Sequence, residues 1–123
     1  MSNGTTNATT QQLRHTFIVY APDMTDEGAF QRRLSVREQH LNDARLNSTA
    51  GTIKLAGAML TPESIESPTA EKNLKMVGSV FICEAESLQH VRDLFTRDVY
   101  YTSGVWDQEK LVIRPLAVAI NNF

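Results

Sequence analysis

Apolar residues recur at helical spacing through Phe30, Leu34, Leu41 and Ala44, with no Pro or Gly between them, and predict an amphipathic helix over Phe30–Arg45 that runs on to about Ser48. Thr25 or Asp26 is the expected cap, and Thr49-Ala-Gly51 the expected stop. Arg37 projects into the apolar arc, and Arg33 and His40 flank it. The spacing 33, 37, 40 puts all three on one side of the helix. Cations placed inward need an anionic partner, supplied by the protein or by a ligand, unless they reach back to water.

Short β-branched and aromatic runs flank this helix. Thr16–Ala21 predicts a first strand, stopped by Pro22. Thr52–Leu60 predicts a second, in which Gly57 marks a bulge or a close backbone approach. Residues 61–75, with two prolines and few apolar groups, read as an exposed mobile loop. Met76–Ala85 predicts a third strand. Ser87 caps a short second helix with Leu88, Val91, Leu94 and Phe95 on its apolar side. A turn-rich connector, Asp98 to Trp106, leads to a last strand, Leu111–Ile120, which Pro115 places at an edge or a bulge.

The order β-α-β-β-α-β is the split βαβ, ferredoxin-like plan of an α+β domain. Two helices cover one face of the sheet. The third and last strands carry apolar residues on both faces, so the second face is expected to pack on another copy: a homodimer with sheets face to face.

Composition narrows the function classes. The chain has 123 residues and suits one domain; residues 1–12, polar and hydroxyl-rich, read as a disordered tail before a domain at 13–123. A net charge of -2 argues against nucleic acid as partner, and the third strand lacks the stacking aromatics that RNA-binding domains of this strand order use. No apolar run approaches the length of a membrane span. The single cysteine, Cys83, sits on a strand expected to be buried and excludes an intrachain disulfide. His15, His40 and His90 lie in separate elements, so no metal is expected, and no cofactor. The cytoplasm is the expected location; an acid-free start as far as Asp23 faintly echoes a mitochondrial leader.

Arg33-Leu-Ser-Val-Arg37-Glu-Gln-His40-Leu41, then Gly57-Ala-Met, Gly78-Ser-Val, and Asp98-Val-Tyr100 with Gly104-Val105, resemble the YciI-like (YCII-related domain) family from Thr16 to Ile120. Two departures stand out: the family's usual Asp-Pro-Tyr is Asp98-Val99-Tyr100 here, and its usual Gly-Pro is Gly57-Ala58. The resemblance implies a dimeric α+β barrel and a His–Asp active-site pair, carried here by His40 and Asp98. An imidazole titrating near neutrality can take and return a proton, and an aspartate on one ring nitrogen fixes its tautomer. Arg37 and Arg33 could grip a carboxylate, and Tyr100 and Gly57 could line the same site. The set contains no placed nucleophile, so proton abstraction, isomerisation or elimination on a small anionic, lactone- or ketoacid-like substrate is the expected chemistry. A non-catalytic module that binds a small anion is the alternative.

Overall fold

A computed structural model describes residues 14–66 and 74–123. The expected tail at 1–12 and the centre of the 61–75 loop lie outside them. Four strands form one antiparallel sheet: β1 (His15–Pro22), β2 (Ile53–Leu60), β3 (Met76–Ala85) and β4 (Val112–Pro115), in the order β2-β3-β1-β4. With α1 (Ala29–Thr49), α2 (Leu88–Thr96) and a single turn, α3 (Val99–Thr102), this is the ferredoxin-like α+β arrangement.

The period-2 burial of β3 shows why the sheet has a helix side. Ser79, Phe81, Cys83 and Ala85 are buried, while Val80, Ile82 and Glu84 between them are only half-buried. Phe17, Val19 and Ala21 from β1 and Ile113 from β4 join the buried side, where Val91 and Phe95 of α2 and Tyr100, Val105 and Trp106 of the connector close the core. The opposite face carries Ile18, Tyr20, Val80, Ile82 and Val112, with no second layer upon it among the described residues; Tyr20 remains 43% and Val112 36% exposed.

Five expectations are corrected. The buried stripe of α1 is not Phe30–Leu34–Leu41: Leu34 is exposed, and Ala29, Arg33 and His40 are the buried residues, with Val36 and Ala44 packed beside them. The stripe 29, 33, 36, 40, 44 keeps helical spacing, and its two polar members are tolerated because each meets a carboxylate. The helix cap is Gly28, with no side-chain bond, because the Asp26 carboxylate is taken by Arg32 at 2.8 Å.

Gly57 is not at a bulge. The irregularities in β2–β3 pairing fall between Ile53 and Leu55 and between Met59 and Leu60. The glycine that needs its missing side chain is Gly78, where a Cβ would run into the Met59 side chain and sit 2.9 Å from the Ala21 carbonyl oxygen. Finally, β4 stops at Pro115, and Leu116 makes only one further bond, from its N–H to the Thr16 carbonyl. Val118 and Ile120 stand exposed beyond it, because β1 has almost no length left to pair with.

The described part of the 61–75 segment is more ordered than a mobile loop. Pro62–Ile65 forms a 3-10 turn, and the buried Ser64 hydroxyl accepts the Lys75 N–H at 3.0 Å.

Candidate functional site

The middle of α1 delivers His40 to the core, where it is 6% exposed. Asp98 is the N-cap of α3, and its Oδ1 accepts the Tyr100 N–H at 2.8 Å. The cap holds the carboxylate against the imidazole: Nδ1 of His40 lies 2.8 Å from Oδ1 and 3.0 Å from Oδ2 of Asp98. An ionised carboxylate only accepts, so Nδ1 carries the hydrogen, and in the neutral ring Nε2 carries the lone pair. Nε2 has no hydrogen-bond partner among the described residues. The ring stacks on Tyr100 at 3.8 Å between centroids, nearly parallel at 8°, and meets Phe81 and Trp106 edge-on at 6.0 and 5.9 Å. One carboxylate and three aromatic rings therefore fix its orientation.

Arg33 is placed differently from the expectation that it grips a ligand carboxylate with its fork. Its Nη1 donates to both oxygens of Asp23, at 3.0 and 3.2 Å, and Nη2 donates to the Gly78 carbonyl and the Ser79 hydroxyl, each at 3.1 Å. Both partners of the ion pair are buried. Burial pushes the Asp23 carboxyl above its ordinary value, and the guanidinium beside it only partly reverses this. The Arg33 guanidinium also lies 4.7 Å from the centre of the Tyr100 ring, a cation–π contact. Only its Nε is left buried without a partner.

Sequence reasoning missed Asp23 and Ser79. Asp23 follows Pro22 and looks like an ordinary turn residue, and Ser79 hides in an apolar strand. The available signal was the arginine itself, since an inward guanidinium requires an acceptor set nearby.

A cavity of about 210 Å³ adjoins these groups, walled by Arg33, Arg37, His40, Gly57, Ser79 and Tyr100 with Leu41, Ala56, Met76 and Phe81 among the apolar parts. That is below the roughly 300–1,000 Å³ of drug-sized sites and suits a molecule of one ring or a short chain. Arg37 is exposed and has no ion-pair partner among the described residues, so its charge is not spoken for. With Arg33 balanced by Asp23 and His40 facing Asp98, Arg37 is the lining cation that no carboxylate meets among the described residues.

Gly57 contributes backbone. It pairs with Val80, so its side-chain direction is the sheet's outer face, where a Cβ would meet nothing within 4 Å. Burial raises the pKa of Tyr100, while Arg33 and Arg37 pull it down. Cys83 is fully buried and its thiol is pushed up to about 12, which leaves it unreactive at neutral pH. A second cavity of about 260 Å³ lies on the Asp98 side, next to Asp43 and Arg97, and does not reach His40.

The chain matches the YCII-related domain over residues 9–114. It belongs to that family. The YCII-related relatives include Protein YciI of Escherichia coli O6:H1, 32% identical over 91 residues that cover 74% of this chain and 87% of that one. An aspartate kinase of Fusarium oxysporum f. sp. lycopersici is 31% identical over 103 residues; they cover 84% of this chain but only 18% of the kinase. Among solved structures, the 5-chloro-2-hydroxyhydroquinone dehydrochlorinase of Burkholderia phenoliruptrix AC1100, in complex with 2,5-dihydroxybenzoquinone, has the same fold. The TM-score is 0.66 at 24% identity, covering 83% of this chain and 93% of that one.

Proposed function

We propose that this YCII-related protein is a cofactor-independent acid–base enzyme acting on a small anionic, lactone- or ketoacid-like substrate. The observation that carries the reading is the His40–Asp98 contact beside a small cavity that Arg37 also lines. In this reading Nε2 of His40 removes a proton from a carbon next to a carbonyl. Asp98 stabilises the imidazolium that results, and the proton is returned elsewhere or a leaving group departs. Arg37 holds the substrate's negative charge at the mouth, and Tyr100 forms the floor beneath the imidazole. The dehydrochlorinase of the same fold is named for an elimination, one of the reactions in this class.

The working unit we propose is a homodimer through the open sheet face, because Ile18, Tyr20, Val80, Ile82 and Val112 would otherwise remain in water. The proposed compartment is the cytoplasm, where a lone thiol such as Cys83 stays reduced. Among the described residues no helix is long and apolar enough to cross a membrane.

A second reading is favoured by the cap that Asp98 provides: the His40–Asp98 pair would then tie α3 to α1, and the cavity would bind a small anion without turning it over. Deuterium exchange into a panel of ketoacids and lactones, followed by proton NMR, separates the two. Enzyme-dependent exchange that His40→Ala abolishes supports the catalytic reading. Binding without exchange, unaffected by His40→Ala, refutes it.

A further inference from the structure

The Ser79 hydroxyl is the least conspicuous polar group of the cavity wall. It is 2% exposed and sits on β3 among Phe81, Trp106 and Arg33. A serine oxygen has two lone pairs and one hydrogen. Both lone pairs are filled: Arg33 Nη2 donates at 3.1 Å and Trp106 Nε1 donates at 3.2 Å. The hydrogen has no acceptor among the described residues. Beside it, the buried Nε–H of Arg33 is likewise without a partner. Buried donors are normally matched, so two unmatched donors, tied together by one network and both on residues of the cavity wall, define a missing acceptor.

We propose that Ser79 and the Arg33 Nε–H form a subsite for a carbonyl or enolate oxygen of the ligand. The inference rests on the acid–base reading of the cavity and adds what that reading lacks, a place for the developing charge. Asp23 already neutralises Arg33, so the subsite presents hydrogens rather than a free cation and suits an oxygen that is neutral in the ground state. Two donors feeding the Ser79 oxygen, one of them cationic, polarise its O–H and strengthen it as a donor.

The chemistry balances without a further reagent. His40 Nε2 takes the proton from the carbon next to the carbonyl, and the C–H electron pair becomes a C=C bond. The carbonyl π pair moves onto the oxygen, which Ser79 and Arg33 receive. Returning the proton to another carbon completes an isomerisation; loss of a leaving group with its electron pair completes an elimination. The ligand class is a small planar anion with a ketone or enolate oxygen at the buried end and its charge toward Arg37.

Trp106 is the only tryptophan of the chain, so its indole N–H gives a single NMR signal one bond away from Ser79. The probe is 2,5-dihydroxybenzoquinone, a planar anion of this class. Titrating it into the full chain is expected to move the Trp106 indole and Arg33 Nε–H signals together. Ser79→Ala should weaken binding at least tenfold, and Ser79→Cys, which keeps the size and loses the strong donor, should weaken it similarly; thermal unfolding checks that both variants are folded.

Binding with neither signal shifted, unchanged affinity in the folded Ser79 variants, or no binding at millimolar probe overturns the proposal; in the first two cases the donors are satisfied by water alone. Probe binding that depends on Ser79, in a protein that exchanges no substrate proton, retains the subsite and removes the enzyme.

Discussion

Asp98 holds two jobs that substitution can separate. Its Oδ1 accepts the Tyr100 N–H as a helix cap, and both oxygens face His40 Nδ1. Serine caps helices about as well as aspartate but is too short to hold the imidazole. Asp98→Ser should therefore lose only the charge-assisted bond, about 1.5–3 kcal/mol for a largely buried pair. Asp98→Ala should lose the cap as well, a further ~0.5–1 kcal/mol, at the low end of the usual range because α3 is a single turn. Urea denaturation at pH 7 resolves such a difference, provided the slope with denaturant stays constant. In proton-exchange assays both variants should fall equally, by roughly 10²–10⁴-fold, because each leaves His40 without its orienting group. The reasoning fails if Asp98→Ser exchanges protons at the wild-type rate. It fails equally if the two variants have the same stability, for then the cap contributes nothing.

Two further outcomes follow from burial. Asp23→Asn strands the Arg33 guanidinium in the core and should destabilise by about 3–5 kcal/mol, a fall in Tm of roughly 12–20 °C by calorimetry, whereas Asp23→Leu with Arg33→Met should recover most of it; a drop under about 1 kcal/mol for Asp23→Asn would mean the pair is not buried in solution. Gly78→Ala should unfold or severely destabilise the chain, because its Cβ meets backbone at the Ala21 oxygen, while Gly57→Ala should change stability by less than about 0.5 kcal/mol; parallel melting curves decide, and equal effects would refute the local geometry.

What the sequence made legible follows from how far each signal reaches. The order of strands and helices is visible in periodicity, because each element buries one face over many residues. The short α3 is not, since four residues hold no periodic pattern. His40 stands out from its place on the helix, but its pairing with Asp98 came from the family resemblance, because the two lie 58 positions apart and no local pattern bridges them. The buried stripe on α1 is rotated from the apolar arc toward its flanking residues, Arg33 and His40. Arg33 and His40 are more deeply buried than Leu34, and only their partners on other elements make that possible. Leu116–Ile120 reads as strand from its composition, yet a strand exists only where a neighbour offers a ladder, and β1 ends first.

The two margins of the sheet carry a consequence for how copies of this chain can meet. At one side β4 offers only four residues and ends in Pro115, which has no N–H to give; at the other, β2 is interrupted by two irregularities. Strand addition is thus discouraged at both rims, which guards against open-ended stacking into fibres. The pairing proposed through the sheet face would instead be closed, a geometry that stops at two.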